Sequence, residues 1–354
     1  MGIKYIGMDV HQATIVIAVL NETGKCVMET IIETKTCTIV DFICGLRGML
    51  YVTLEEGTYA AWLHDVLSPR VEKVVVCDPR KNKLLPSGHK SDKVDARKLA
   101  EWLRTGQLSP VYQGRQSLRT LKELARSYRG LVEDSTRVMN RLKALFRGRG
   151  IACSGPAVYQ ARHREQWLQQ LTQPGARRRA DWLYQQLDQL QPLRKAAHQA
   201  LLAESRRQAG QSILCQIPGL GPTRAALIQA IVETPHRFRS KRQFWTYVGL
   251  AVVTHSSAEY RMVEGRVRRS NKAVATRGLN RNHNRVLKEV FKSATTGAIQ
   301  RDPVFKLLYF RLTEGGVAPE MARLTLTRKL AALTLALWKK GAHYDPEQLK
   351  AQAA

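Results

Sequence analysis

Residues 3–20, IKYIGMDVHQATIVIAVL, decide the fold of the first part of the chain. Two runs rich in Ile and Val, at 3–10 and 13–20, are typical of buried β-strands, and His11-Gln12 leaves room only for a tight connection between them. A third strand is predicted near 25–33, after the turn NETGK. This part of the sequence therefore predicts a three-stranded meander.

Downstream of the meander, predicted helices and strands alternate. We expect a helix at about 39–47, a short strand MLYVTL, a helix over TYAAWLHDVL, the apolar strand KVVVC and a helix over DKVDARKLAEWLRTG. Gly106 is a stop signal for that last helix. Three strands followed by this alternation predict an α/β domain with a mixed sheet, as in RNase H-like folds, with helices packed on it.

Beyond residue 105 the sequence predicts helices. An apolar stripe at helical spacing runs through 115–147, and a Gln- and Arg-rich helical stretch covers about 161–208, interrupted near Pro174-Gly175. Two long helices joined in this way are typical of an antiparallel coiled-coil arm, which serves as a spacer, a dimerisation element or a nucleic-acid clamp. We therefore expect an α/β domain at 1–105, a helical arm at 106–210 and a mainly α-helical domain at 211–345.

Charge is distributed unevenly along the 354 residues. The net charge is +28, of which residues 1–105 contribute +1 and residues 106–354 contribute +27. An excess of this size predicts a polyanionic partner, and nucleic acid is favoured over a membrane because no amphipathic anchor or lipidation signal accompanies it. The six cysteines form no CxxC pair, and no long apolar run or secretory signal is found. We therefore expect reduced thiols and a cytoplasmic protein.

Several carboxylates fall at positions that an RNase H-like sheet brings together. Asp9 lies near the end of the first strand, and Glu55 and Glu56 end the fourth. Asp92 and Asp95 lie on one face at the start of a helix. Carboxylates gathered at one point repel each other unless cations lie between them. Two Mg²⁺ ions, or Mn²⁺, bound by such oxygen ligands would serve phosphoryl transfer, so a metal site is predicted here.

A serine pair lies in a basic part of the chain. Ser256-Ser257 follows the apolar run GLAVV, and residues 261–292 hold ten Lys and Arg against two acids. A serine held near phosphate-binding cations could attack a phosphodiester and form a covalent ester with DNA. Two serines in a polar loop are also ordinary, and without further context the composition alone favours that interpretation.

Further phosphate contacts are predicted on either side of the serine pair. ILCQIPGLGPTRAALIQAIV is similar to a helix-hairpin-helix, whose glycine-rich turn presents backbone N–H groups to a phosphate, and RGLNRNHNRVLKEVF is predicted to be one basic helix with asparagines as additional donors. The candidate nucleic-acid-binding residues are Gly219, Gly221, Arg268, Arg269, Lys272, Arg277, Arg281, Arg285 and Lys288.

At this point the motifs resemble a known family. GMDVH, LEEGTYAAWL, VVVCDPR and HKSDKVDARKLAEWLRTG resemble the RuvC-like DEDD domain of the insertion-sequence 110 family of transposases, particularly its 1111 subgroup and relatives such as the Piv invertase. IPGLGPTRAALIQAI, YVGLAVVTHSSAEY and TRGLNRNHNRVLK resemble the C-terminal transposase domain of that family. The resemblance covers nearly the whole chain and is weakest across about 150–205.

The resemblance implies a role for each motif residue. Asp9, one glutamate of the 55–56 pair, Asp92 and Asp95 would bind the metal ions, and a serine of the 256–257 pair would join DNA. The family often has glycine after the serine, where this chain has alanine, and a single glutamate followed by alanine, where this chain has two glutamates. We favour Glu55, directly after the strand, and Ser257.

The resemblance also implies partners. Members of the family are similar in acting as recombinases guided by an element-encoded structured RNA, which pairs with target and donor DNA. They assemble as dimers and tetramers in which the RuvC-like domain of one subunit meets the serine domain of another. The helical arm would then serve dimerisation, and the working protein would be associated with the nucleoid.

Two other interpretations stay open. The chain could be a plain RuvC-type endonuclease, such as a junction resolvase, that uses metal-activated water instead of serine. It could also be a non-enzymatic nucleic-acid binder with a decayed metal site. A covalent protein–DNA adduct that depends on Ser257 separates the recombinase from both.

Overall fold

The chain forms two compact units in a computed structural model, which describes residues 2–82, 92–114, 118–255, 260–263, 266–269 and 275–347. The units are Met1–Gly114 and Arg115–Ala354. None of the described helices combines the length and the apolar character needed to cross a membrane.

The first unit is built on a five-stranded sheet with the order β3-β2-β1-β4-β5. Its elements are β1 (Ile3–Val10), β2 (Thr14–Leu20), β3 (Cys26–Glu33), α1 (Thr36–Gly45), β4 (Met49–Glu55), α2 (Ala60–Leu67), β5 (Lys73–Cys77), α3 (Pro79–Asn82) and α4 (Asp92–Arg104). The first three strands form an antiparallel meander, whereas β4 runs parallel to β1 and β5 parallel to β4. The predicted mixed sheet is confirmed, and it is consistent with an RNase H-like fold.

Different helices cover the two faces of this sheet. Alternate residues such as Ile6, Met8 and Leu54 share a core with α1 and α2. On the opposite face, Val16 and Ala18 of β2 pack against α4. Helix α4 therefore covers one face of the sheet, whereas α1 and α2 cover the other.

The second unit is mainly helical, as predicted, and it also contains two small sheets. Its helices are α5 (Arg119–Arg147), α6 (Arg164–Gln169), α7 (Pro174–Arg206), α8 (Gly210–Gln216), α9 (Pro222–Val232), α10 (Lys241–Val248), α11 (Arg285–Arg301), α12 (Pro303–Glu314) and α13 (Pro319–Lys340). Strands β6 (Val252–His255) and β9 (Ala275–Leu279) form one antiparallel pair, and β7 (Tyr260–Val263) and β8 (Arg266–Arg269) form another.

Helices α5 and α7 pack against each other in opposite directions. Leu121, near the start of α5, shares a core with Leu201, near the end of α7. Leu142, near the end of α5, packs instead with Leu183 in the first half of α7. Pro174 begins α7 because proline is tolerated in the first turn of a helix, where its missing N–H is not needed. The arrangement is antiparallel, and the knobs-into-holes packing of a coiled coil stays a prediction.

Candidate active site

Strand register places Asp9 and Glu55 side by side. Met8 of β1 pairs with Leu54 of the parallel strand β4, so the next residue of each strand emerges at the same level of the sheet. Met8 and Leu54 are buried against α1 and α2. Because side chains alternate between the two faces of a sheet, Asp9 and Glu55 lie on the face that α4 covers.

A glycine in β1 lets α4 approach this face closely. A Cβ atom on Gly7 would overlap the carbonyl oxygen of Ala96 and lie 2.6 Å from the amide nitrogen of Ala100. Both alanines of α4 are themselves fully buried. The strand and the helix therefore meet backbone to backbone, a contact that only glycine permits at this position. This contact brings the first turn of α4 to the end of β1.

Ion pairs at the sheet edge hold α4 in the same orientation. Arg97 of α4 binds the carboxylate of Glu29 in β3 with two nitrogens, of which Nη2 lies 2.7 Å from Oε2. Arg104, at the end of α4, reaches the carbonyl oxygen of Glu22 at 3.5 Å. These side chains are exposed or partly buried, so each contact contributes little to stability, and both connect α4 to residues of the first three strands and their turns.

Asp9 and Asp92 flank an imidazole. His11 Nε2 lies 3.3 Å from Asp9 Oδ2 and 3.5 Å from Asp92 Oδ2. A turn after β1 positions His11, whose N–H donates to the carbonyl oxygen of Thr14 at 2.9 Å. One donor atom from each of Asp9, His11 and Asp92 lies within 4.8 Å of the others, which is close enough for a shared ion. The structure thus brings together the predicted aspartates from β1 and α4.

Electrostatics tie Asp95 to the same cluster. Burial is the main cause that raises the pKa of Asp9, His11 acts against it, and the charges of Asp92 and Asp95 raise the pKa further. The charges of Asp92 and Asp95 therefore each repel the charge of Asp9. A divalent cation would relieve this repulsion and favour the ionised form of Asp9.

Lys98 supplies a further charge beside Asp95. Its Nζ lies 4.0 Å from Asp95 Oδ1, one turn along α4. This nitrogen is buried and has no hydrogen-bond partner within the described part of the chain. Neither Lys98 nor His11 was predicted from the sequence to be a site residue. The signals were present, because Lys98 follows Asp95 by three residues on one helix face and His11 follows Asp9 directly after the strand.

The two glutamates at the end of β4 differ in position. Glu55 is the last residue of the strand and is exposed. Glu56 follows it, and its N–H donates to the carbonyl oxygen of Cys77 at 2.9 Å, which continues the pairing of β4 with β5. The register with Asp9 favours Glu55 as a fourth ligand, and the choice between the two stays a prediction.

The donor set fits a hard divalent cation. Carboxylate oxygens are the ligands that Mg²⁺ and Mn²⁺ prefer, and aspartates from two elements already face one point. The imidazole of His11 is the exception, since Mg²⁺ is seldom bound by nitrogen. Asp9 and Asp92, with Asp95 and Glu55 beside them, are thus the residues that could hold such ions.

Ser257, the predicted nucleophile, lies outside the described residues, as do Ser256 and Lys272. The strand that immediately precedes the serine pair is described. β6 leads to the serine pair and is paired with β9, with Val252 opposite Leu279. Before it, Gly249 ends α10 with a φ of 81°, and a Cβ there would overlap the ring of His283. The start of β6 is therefore fixed by packing, while Ser257 itself stays a prediction.

The prediction of one basic helix over RGLNRNHNRVLKEVF was wrong in its first half. Arg277 lies in β9, Arg281 lies in the loop, and α11 begins only at Arg285. Asn284 is the N-cap of α11, and its side chain accepts a hydrogen bond from the N–H of Leu287 at 3.1 Å. An asparagine at this position starts a helix rather than continuing one.

Asn280 also has a local role. Its Oδ1 accepts a hydrogen bond from the N–H of Asn282 at 3.0 Å, and its Nδ2 donates to the carbonyl oxygen of Thr246 at 3.1 Å. Such side-chain contacts to the backbone compete with helix formation. The side chain predicted to contact nucleic acid is therefore used within the protein.

The glycine-rich turn between α8 and α9 has a packing role. Gly219 has a φ of 77°, and a Cβ there would overlap the carbonyl oxygen of Ala294 in α11. Gly221, by contrast, has open space around it and is the N-cap of α9, without a side-chain cap. The helix–turn–helix geometry agrees with the sequence, and phosphate binding by this turn stays a prediction.

Two family models match the chain. One, described as a transposase and named for its DEDD residues and IS110, matches residues 6–149, which include all the carboxylates of the cluster. The other, described as transposase IS116/IS110/IS902 family, matches residues 211–275, which include the glycine turn and the serine pair. The matches together span more than half of the sequence, and the chain belongs to the IS110 family of transposases. No curated protein shows significant similarity to it.

Membership of this family defines the general activity. A transposase acts on DNA, and the DEDD type of domain implies dependence on a divalent metal ion. The cluster of Asp9, His11 and Asp92 is a group of residues in which such an ion could be held.

Proposed function

We propose that this transposase cuts and rejoins DNA with a carboxylate metal site and a serine nucleophile. The observation that carries the proposal is the convergence of Asp9 and Asp92 within reach of one ion, with Asp95 in electrostatic range and Glu55 in register. These residues come from β1, β4 and α4, so the site depends on the fold rather than on one local motif.

Asp9, Glu55, Asp92 and Asp95 would hold two Mg²⁺ ions, with Mn²⁺ as a substitute. When bound, such ions polarise the scissile phosphate and stabilise charge on the leaving oxygen. The protein would orient the carboxylates through the contact of Gly7 with α4.

Ser257 would supply the nucleophile, with Ser256 as the alternative. Its hydroxyl oxygen forms a bond to phosphorus, the bond between phosphorus and the leaving strand's oxygen breaks, the serine proton departs, and the released strand takes up a proton. Rejoining is the reverse reaction, in which the hydroxyl of a new strand end attacks the phosphoserine. One ester replaces another at each step, so no external energy source is needed.

We further propose that an element-encoded RNA guides the reaction by pairing with donor and target DNA. The +27 charge beyond residue 105 supports a large polyanionic partner. We also propose that dimers assemble into tetramers and that carboxylates and serine come from different copies. The location of the two sets of residues in different units of the chain is compatible with this arrangement.

Capture of a covalent adduct tests the mechanism. Full-length protein with its co-purified nucleic acid, Mg²⁺ and end-labelled DNA should give a labelled protein band on a denaturing gel. Ser257→Ala should abolish the band, whereas Ser256→Ala should keep it, and Mg²⁺ binding should survive in both. If both variants retain strand joining, the serine mechanism is wrong.

Cleavage without an adduct would support the competing candidate, a RuvC-type endonuclease that uses metal-activated water. The observation that favours this candidate is that all four carboxylates belong to one unit and need no group from the other for hydrolysis. The guide is tested separately, by sequencing the RNA that co-purifies with the protein. A discrete RNA encoded beside the gene is expected, and a random mixture would contradict RNA guidance.

A further inference from the structure

Cations follow one another along the solvent-facing side of α11. Arg285, Lys288 and Lys292 are spaced by three and four residues and so share a face of the helix. Arg301 ends the helix and is exposed. The one acidic residue of α11 is Glu289. Because α11 begins at Arg285, these cations belong to the helix and not to the Asn-rich loop that precedes it.

A cation from α9 contacts α11 at Ser293, which is exposed. Arg224 Nη1 donates to the carbonyl oxygen of Gly219 at 2.8 Å, and its Nε lies 3.1 Å from Ser293 Oγ, next to Lys292 in α11. Burial lowers the pKa of Arg224, and the charge of Arg301 lowers it further. The two guanidinium groups are therefore close enough to repel each other, although they come from different helices.

These cations have no acidic partners within the described part of the chain. Among the residues that the structure describes, no carboxylate oxygen lies within 4.0 Å of a side-chain nitrogen of Arg224, Lys288, Lys292 or Arg301. Burial lowers the pKa of Lys288, and so does the neighbouring charge of Lys292. Uncompensated like charges destabilise a fold, and binding of a polyanion removes that penalty.

Arginines of α5 show the opposite arrangement. Three of them lie within ion-pair distance of an acid one turn away, in the pairs Arg126–Glu123, Arg129–Glu133 and Arg137–Asp134. Both helices are basic in composition, but these three arginines of α5 have acidic partners on their own helix, whereas Lys288, Lys292 and Arg301 of α11 lie within 4.0 Å of no acid among the described residues. Composition alone does not distinguish them.

The chemistry of the face indicates which polyanion it suits. The exposed residues of α11 are polar or charged, and they are Arg285, Glu289, Lys292, Ser293, Thr296, Gln300 and Arg301. None is aromatic, whereas recognition of single-stranded RNA or DNA relies on stacking of bases against aromatic rings. Lysine and arginine without a stacking surface are suited to the phosphates of a duplex.

We propose that Arg224, Lys288, Lys292 and Arg301 form a binding surface for the phosphodiester backbone of duplex DNA. The inference rests on the proposed function, in which DNA is the substrate. It assigns DNA binding to residues outside the serine segment. Measured along the helix axis, Lys288 and Arg301 are about 20 Å apart at the rise of 1.5 Å per residue, roughly the length of six base pairs of duplex.

Salt dependence of binding tests the proposal. Full-length protein carrying Lys288→Gln, Lys292→Gln and Arg301→Gln together is titrated with a duplex of about thirty base pairs, in EDTA so that no cleavage occurs. Each lost phosphate contact should reduce the slope of log K against log salt by about 0.9, and affinity at physiological salt should fall roughly fivefold per cation. Arg224 is left intact because it also bonds neutral groups of the fold.

A matched variant removes the same charge elsewhere. Arg126→Gln, Arg129→Gln and Arg137→Gln on α5 should change the slope by less than about one contact. Glu289→Gln should act in the opposite sense and tighten binding. Thermal melting of each variant within a few degrees of the parent shows that the fold is kept, and Arg224→Lys, which preserves the charge, should retain most of the affinity.

Equal loss of slope in the two triple variants, or no loss in the α11 variant, would overturn the proposal. Weaker binding of an RNA hairpin with unchanged binding of duplex DNA would assign the surface to RNA and would also overturn it. The measured quantity is the affinity for DNA, which does not require strand cleavage. Loss of slope with no serine adduct would leave this surface standing and reject the serine mechanism, whereas an adduct with an unchanged slope would do the reverse.

Discussion

The two units of the chain differ in their net charge and in where their charged side chains are concentrated. Residues 1–105 are almost neutral, with a net charge of +1, yet they concentrate aspartates at the end of one strand and the start of one helix. Residues 106–354 carry +27; among them Arg126 of α5 is ion-paired, whereas Lys292 of α11 lies within 4.0 Å of no acid among the described residues. Local pairing, rather than total charge, therefore distinguishes a candidate site from a solvated surface.

The comparison depends first on the strand–helix contact in the first unit. Gly7→Ala places a Cβ against the backbone of α4, so we expect the free energy of unfolding to fall by about 1–3 kcal/mol. Mn²⁺ affinity should fall roughly tenfold or more because Asp92 and Asp95 move with the helix. Gly45→Ala, where a Cβ meets nothing within 4 Å, is the control. Equal stability of the two variants, by chemical denaturation, would show that the contact does not position α4.

In the second unit the corresponding local element is the cap of α11. Asn284→Ala removes the side-chain acceptor for the N–H of Leu287 and should lower the free energy of unfolding by about 1 kcal/mol. Asn284→Ser keeps a capping oxygen and should restore most of it. If alanine and serine variants melt at the same temperature, the helix does not depend on this cap.

The balance of charge within the acidic cluster can be altered without touching an aspartate. Lys98→Met removes an ammonium group 4.0 Å from Asp95 and should tighten Mg²⁺ binding about fivefold, since a partly exposed pair of this length is worth about 1 kcal/mol. Lys25→Met, at an exposed turn of the same unit, should leave the affinity unchanged by calorimetry. Weaker Mg²⁺ binding in Lys98→Met would mean that Lys98 supports the site rather than opposing the ion.

The smallest expected effect concerns an ion pair of the second unit. Arg164 holds the pKa of Asp188 below its usual value through a hydrogen-bonded pair, so the folded state binds this proton less readily than the unfolded state. The stabilisation is therefore present above the unfolded pKa of about 4 and is lost as the pH falls through the lower folded pKa.

Because Asp188 is largely solvent-accessible, the size of this effect is below about 1 kcal/mol. The difference in unfolding free energy between the parent and Asp188→Asn should be largest at neutral pH and shrink below pH of about 4. A difference that grows on acidification would contradict the assignment.

Much of the first unit was predictable from the sequence. Alternating Ile and Val runs with short turns define the meander, and the aspartate of GMDVH stands where the strand leaves the apolar core. The convergence of Asp9 with a glutamate of the 55–56 pair was expected from the sequence, whereas the residue-by-residue register of β1 with β4 was not, because it depends on long-range strand pairing. The approach of α4 through Gly7 likewise becomes visible only when the strand and helix are in contact.

The second unit was less predictable. The asparagines of NRNHN looked like polar positions of a helix, but their side chains bond the local backbone and begin α11 later than expected. The short strands β7 and β8 were not predicted, since four-residue strands in a basic segment lack an alternating apolar pattern. One hydrogen-bond partner of Arg224, Ser293, also lies far along the chain.

The central claim is that the first unit supplies the metal site and the second unit binds DNA. It is tested most directly by Asp95→Asn, an isosteric change that removes one negative charge from the acidic cluster. Strand cleavage with Mg²⁺ and affinity for duplex DNA in EDTA are measured on the same full-length preparation. Cleavage should fall on the order of a thousandfold, the scale expected when a group that stabilises transition-state charge is lost, while DNA affinity stays unchanged. Cleavage at the parent rate would contradict a metal site in the first unit. Loss of cleavage and DNA affinity together would contradict the separation of that site from DNA binding by the second unit.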